Sequence, residues 1–145
     1  MLEMLIVVAI TLMLSAMAMV SFAYFRTTQA LDIGTKNIAS FVEKARHQTL
    51  EGLNGSQFGI HFGSGSAVLF SGTTYVSDDS DNEILSYPGG LRAAQISLAG
   101  GGPDVIFEQL TGDTAQSGTI VMQIGSAENP RKTITISSAG IVTVN

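Results

Sequence analysis

An uncharged apolar run near the amino terminus constrains this chain more than any other feature. From Met4 to Phe25 there is no charged residue, no glycine and no proline. As a helix rising about 1.5 Å per residue, these roughly 22 residues would span about 33 Å, close to the hydrocarbon thickness of a bilayer. Three interpretations compete: a cleaved signal peptide, a permanent membrane helix, and a helix that begins in a membrane and ends in the core of a polymer.

The residue in front of the run separates these interpretations. A signal peptide has a basic leading region and a small-residue cleavage site, whereas the leading charge here is the acidic Glu3. A plain membrane anchor explains the length of the run but not Glu3, because an unpaired carboxylate near lipid is costly and usually functional. The sequence therefore favours the third interpretation.

The helix is predicted to continue to about residue 51. Apolar residues recur at intervals of three, four and seven, with polar residues on the other side. Gly34 is a weak position, and Gly52 is a predicted C-cap. The apolar residues of this stretch are Leu31, Ile38, Phe41, Val42 and Ala45. The chain then divides into an apolar half of the helix (1–25), an amphipathic half (26–52) and a head (53–145).

The head has the period-two pattern of β-strands. Eight or nine short apolar runs, including one at Thr73–Val76, are separated by turns rich in Gly, Ser, Asp and Pro. Gly100–Pro103 is one of these turns and lacks the residues of a phosphate-binding loop. No helical pattern lies between the runs, so the sheet is predicted to be mainly antiparallel. The predicted fold class is α+β, with one long helix packed against a β-rich head.

Composition argues against two classes of function. The net charge is −5 with seven Lys and Arg residues, so a nucleic-acid partner is disfavoured. There is no cysteine, and neither His47 nor His61 has a neighbouring Ser or Asp pattern that resembles a catalytic triad. The sequence therefore predicts no enzymatic activity and no bound cofactor.

An acidic loop is the one candidate metal site. Asp79, Asp81 and Glu83 alternate along the chain and could offer oxygen ligands to Ca²⁺, which takes six to eight of them. The glycine and distal glutamate of an EF-hand are missing. A solvated acidic loop is the alternative.

The residues after the start of the chain carry a family resemblance. The segment Glu3, Met4, Leu5, Ile6, Val7, Val8, Ala9 and Ile10 resembles the amino-terminal signature of type IV pilins and type II secretion pseudopilins. The head resembles that of H-type pseudopilins in six segments: 59–62, 69–70, 72–75, 81–83, 104–107 and 132–140. The chain departs from the family in lacking a Gly and a Pro in the apolar half, where Leu12 and Val20 stand.

The resemblance implies a structural subunit of a type IV pilus-like filament, or a minor pseudopilin of a type II secretion system. Residues 3–10 would be the assembly segment, with Glu3 pairing with the terminal amine of a neighbouring subunit. The partners would be copies of this chain or other pilins, a prepilin peptidase, inner-membrane assembly machinery and membrane lipid. We expect two mature residues and a basic leader upstream of Met1. A non-polymerising, membrane-anchored β-domain that binds a ligand remains the alternative.

Overall fold

The computed structural model describes residues 2–52, 55–125 and 130–145, without the side chains of 17–21 and 23. Met1, Leu53 and Asn54, at the predicted boundaries of the chain's parts, lie outside these ranges. Within them, one long helix precedes eight strands: α1 (Leu2–Leu50), β1 (Phe58–Phe62), β2 (Ser66–Ser71), β3 (Glu83–Ser86), β4 (Leu91–Leu98), β5 (Asp104–Ile106), β6 (Gly118–Ile124), β7 (Arg131–Ile136) and β8 (Val142–Val144). The fold is α+β, as the sequence predicts.

The strands form two four-stranded sheets. The first has the order β3-β2-β1-β5, and the second has the order β4-β6-β7-β8. Every pair is antiparallel, with Ile60 opposite Leu69 in the first sheet and Ile120 opposite Ile134 in the second. This agrees with the absence of helical crossovers, which parallel neighbours would need.

The amphipathic half of the helix packs against both sheets. It contacts β1 and β2 of the first sheet and β6, β7 and β8 of the second. Its buried apolar residues are the five that the sequence predicts for this role, together with Ala39. Thr35 and Thr49 are also buried, and their hydroxyls donate to the carbonyls of Leu31 and Ala45, at 2.7 and 2.9 Å. One apolar core therefore joins the helix to both sheets.

Gly34 has a packing role that its low helix propensity obscures. A Cβ atom at this position would lie 2.7 Å from Cδ2 of Leu91, which is itself buried. The helix can approach the start of β4 closely because residue 34 has no side chain.

The helix ends at Leu50, close to the predicted residue, and β1 is the next regular element. Gly52 has a φ of 62°, and its N–H donates to the Thr49 carbonyl at 3.1 Å. The Thr49 hydroxyl also accepts from the N–H of Phe58 at 3.0 Å. The helix end is therefore joined to the first strand by a buried hydrogen bond.

The prediction of a strand at Thr73–Val76 is wrong. β2 ends at Ser71, and the next residue, Gly72, has a φ of 104° and donates its N–H to the Gln57 carbonyl at 2.7 Å. That conformation turns the chain away from the ladder, and Tyr75 instead stacks on His61 of β1. Tyr75 alone of this segment packs on the first sheet, whereas Thr73, Thr74 and Val76 are exposed.

We expect Gly118→Ala to lower the free energy of unfolding by about 2 kcal/mol or more, since overpacking a close contact typically costs 1–3 kcal/mol. A Cβ here would collide with the Ser97 carbonyl oxygen and lie 2.8 Å from Cα of Leu98, so β4 would have to move. Urea unfolding of the full chain in detergent measures the change. Gly65→Ala is the matched control, because no atom lies within 4 Å of its added Cβ; equal losses in both variants would contradict the prediction.

Candidate functional site: the exposed apolar half of the helix

The apolar half of the helix exposes apolar side chains on all its sides. The five consecutive residues Met4 to Val8 are each at least 50% exposed. Because successive residues of a helix are about 100° apart, these five cover its whole circumference. Exposed apolar residues continue to the end of this half at Leu12, Met13, Leu14, Phe22, Tyr24 and Phe25. Within the described residues, no helix has an apolar stretch long enough to cross a membrane.

Two hydroxyl groups on this surface, those of Thr11 and Ser15, are satisfied by the helix itself. The Thr11 hydroxyl lies 3.0 Å from the carbonyl of Val7 and 2.9 Å from that of Val8, and the Ser15 hydroxyl donates to Thr11 at 2.8 Å. Such back-bonding means that neither of these two hydroxyls needs a water partner. The surface is therefore suited to apolar surroundings.

The predicted assembly segment lies at the free end of this surface. Residues 3–10 are all helical and exposed, and Glu3 is the acidic residue of the first turn. No hydrogen bond or ion pair to Glu3 occurs among the residues that the structure describes. The helix backbone runs unbroken through Leu12 and Val20, the positions at which the family's Gly and Pro are absent.

A groove lies where the apolar half meets the head. It holds about 340 Å³ and is lined by Phe25, Thr28, Gln29, Asp32, Ile33 and Lys132. Asp32 pairs with Lys36 at 2.7 Å and with Lys132 of β7 at 3.2 Å. The hydrogen bonds from Lys36 and then Lys132 hold the pKa of the Asp32 carboxyl below its usual value. The pair with Lys132 joins the helix to the second sheet at this junction.

Arg26 lies beside a second groove at the same level. This groove, of about 370 Å³, is lined by Arg26, Thr27, Ala30, Gly89 and Ile124. The Arg26 side chain is exposed, and among the described residues it has no hydrogen-bond or ion-pair partner. Sequence reasoning missed this position, although a signal was present: Arg26 is the first charge after the uncharged run.

The acidic loop does not bring its carboxylates together. Glu83 pairs with Lys44 of the helix, at 2.7 and 2.5 Å from its two oxygens. Asp79 accepts from the N–H of Asp81 at 3.0 Å, a local turn. Across the described ranges, no three His, Cys, Asp or Glu residues are grouped to hold a metal ion. The contacts seen here join β3 to the helix and shape the loop.

A histidine–aspartate pair is a further side-chain cluster that the sequence did not indicate. Nδ1 of His61 lies 2.6 Å from Oδ1 of Asp104, and the His61 ring stacks on Tyr75 with ring centres 4.0 Å apart. Asp104 is distant along the chain and is brought to His61 by the pairing of β5 with β1. The cluster holds the loop after β2 against the first sheet.

We expect Asp32 to make stability depend on pH at the acidic end. Its folded-state pKa is lower than the ordinary value of 3.8, so its contribution is fully present above that value. This contribution disappears as the pH falls through the folded-state pKa, because the protonated carboxyl loses its two lysine partners. Urea titrations should show Asp32→Asn less stable than the parent at pH 7, with the difference shrinking below about pH 4.

Asp78→Asn is the control, because Asp78 is exposed and has no partner among the described residues. A gap between Asp32→Asn and the parent that stays constant down to pH 2 would contradict the role of this ion pair.

Comparisons with protein-family models, with curated proteins and with solved structures found no match. The features that bear on function are therefore this chain's own exposed surface and the resemblance of its amino-terminal segment.

Proposed function

We propose that this chain is a structural subunit of a type IV pilus-like extracellular filament and that it polymerises through the apolar half of its helix. The observation that carries the proposal is an apolar surface covering every side of one helical segment and ending in a single carboxylate, Glu3. The head would form the outer surface of such a filament, and the helices its core.

The energy of burial supports an assembled state. Monomeric soluble proteins rarely expose a contiguous apolar patch larger than a few hundred Å². Burying one exposed Leu, Ile, Phe or Met side chain contributes about 1.5–3 kcal/mol. Ten such side chains are exposed along the described part of the apolar half, so once the subunit has left the bilayer, keeping them in water would cost more than association usually does. Neighbouring helices of the same kind would supply the matching surface.

The shape of the monomer supports a polymer more than a closed dimer. The apolar half has no single apolar face, because its side chains are exposed in all directions. A two-fold dimer would cover one side of the helix and leave the others in water. Several neighbours around each helix are needed to bury the whole circumference, as in a filament core.

A membrane stage before assembly rests on the sequence alone. The uncharged run from Met4 to Phe25 is about as long, as a helix, as a bilayer is thick. We infer that subunits are held in the inner membrane, processed by a prepilin peptidase and extracted by assembly machinery, as the family resemblance implies. The same apolar surface would then exchange lipid for neighbouring helices.

A minor pseudopilin of a type II secretion system is the second candidate, and the H-type resemblance of the head favours it. The two candidates differ in the amount and length of the filament. Abundant long filaments would indicate a pilus, whereas trace amounts in a short periplasmic assembly with other pilins would indicate a pseudopilus.

We expect Glu3→Ala to abolish filaments while leaving the amount of membrane-inserted subunit unchanged. The carboxylate is tolerable in a helical bundle only when it is paired, and that pairing sets the register between subunits. Electron microscopy of material sheared from the producing cells, with mass spectrometry of the subunit's amino terminus, measures filaments and processing separately.

Glu51→Ala is the matched control, since Glu51 is an exposed glutamate in the turn after the same helix. It should leave filament yield at the parental level. If the parent chain forms no filaments and Glu3→Ala changes nothing, the chain is instead a membrane-anchored β-domain.

A further inference from the structure

We propose that Arg26 receives Glu3 of a neighbouring copy of this chain, in a parallel arrangement staggered by about 35 Å along the helix axis. The inference rests on the proposed filament and names the partner of its glutamate. It differs from pairing of Glu3 with a terminal amine, because the cation here is the guanidinium of Arg26.

The first step is the isolation of two opposite charges. Between Leu2 and Leu31, Glu3 and Arg26 are the only Asp, Glu, Lys, Arg or His residues. Each is exposed, and neither has an ion-pair or hydrogen-bond partner among the described residues. The next charges along the chain, Asp32 and Lys36, are already paired with each other.

The second step is energetic. When the apolar half is buried among its neighbours, Glu3 leaves water, and Arg26 at the boundary of the buried region loses part of its hydration. An unpaired buried charge costs several kcal/mol, and a guanidinium cannot avoid that cost by losing its proton. Pairing the two groups removes both costs at once. Arg also presents the planar donor geometry that matches a carboxylate.

The third step is geometric and excludes a closed pair. Since α1 is continuous from Leu2 to Leu50, ideal helix geometry places Glu3 and Arg26 about 140° apart around the axis and about 35 Å apart along it. An antiparallel two-fold dimer would need both residues on the same side of the helix, because the same patch must face itself. Residues on nearly opposite sides fit a head-to-tail contact, in which each copy uses one side for each neighbour. Such a contact repeats without closing.

The fourth step is the chemistry of the receiving surface. The groove beside Arg26 has apolar walls at Ala30 and Ile124. On the same outward side of the helix, Ile33 lies two turns further on and is 56% exposed although it belongs to the amphipathic half. The arriving helix end carries one carboxylate between apolar side chains, Leu2 and Met4. A cation flanked by apolar surface therefore meets an anion flanked by apolar side chains.

Charge reversal tests the pair in the cells that produce the chain. We expect Glu3→Arg and Arg26→Glu each to lower the yield of sheared filaments at least about tenfold, the effect of 1.4 kcal/mol at each contact. The double variant, with the charges exchanged, should recover most of the yield. Arg92→Glu is the control, because Arg92 is an exposed arginine on the head whose partner among the described residues is the Gly125 carbonyl.

Cross-linking tests the stagger without depending on Glu3 being compatible with processing. The chain has no cysteine, so engineered thiols are the only reactive ones. A copy with Glu3→Cys and a copy with Arg26→Cys, each produced together with an excess of the parent chain, should give a dimer with a short bis-maleimide in intact filaments. Ser40→Cys in place of Arg26→Cys lies on the same side of the helix but about 21 Å further along, and should give none.

The outcomes separate this pairing from the filament itself. Parental filament yield from Arg26→Glu, or cross-links from position 3 to position 40 in place of position 26, would overturn the pairing and leave the filament assignment intact. Absence of filaments from the parent chain would overturn both.

Discussion

The length of the helix relative to the size of the head is the constraint on which the rest of this structure depends. At 1.5 Å per residue, the 49 residues of α1 are about 74 Å long. A compact unit of the head's size is only about 30 Å across. One small head therefore covers one half of the helix and has no means of covering the other. Every other feature of the chain follows this division.

The covered half explains the architecture of the head. Two antiparallel sheets, each too small to bury both its own faces, pack on a single helical stripe, and the helix completes one apolar core. Contacts at the edge of that core fix the helix on both sides: Lys44 pairs with Glu83 at the first sheet, and Asp32 pairs with Lys132 at the second. The close approach at Gly34 brings β4 to the same stripe. The amphipathic half is thus part of the head as well as part of the helix.

The uncovered half explains why the chain is proposed to assemble. Its apolar side chains face every direction, and the hydroxyls of Thr11 and Ser15 bond to its own backbone. The segment is therefore a regular helix whose apolar surface lacks a partner within the described chain. The two lone charges at its ends, Glu3 and Arg26, have the spacing and the angular separation of a repeating contact. In the proposed polymer, the same helix would therefore supply both the apolar contact surface between subunits and the charges that set their register.

The sequence by itself determined the parts of this protein that depend on local order. The uncharged run, the buried stripe from Leu31 to Ala45, the C-cap at Gly52 and the α+β class all follow from periodicity and composition along neighbouring residues. Most strands were predicted for the same reason. The prediction at Thr73–Val76 was wrong because the β-propensity of these residues gives no information about the turn at Gly72.

The tertiary structure alone decided what depends on residues far apart in the chain. Only the tertiary fold divides the strands into two sheets, brings Asp104 to His61 and brings Glu83 to Lys44. That no described residue pairs with Arg26 is also a tertiary fact, because only folding decides which charges come close to it. Local patterns specify which residues are apolar enough to favour burial, whereas the packed fold determines which of them are buried.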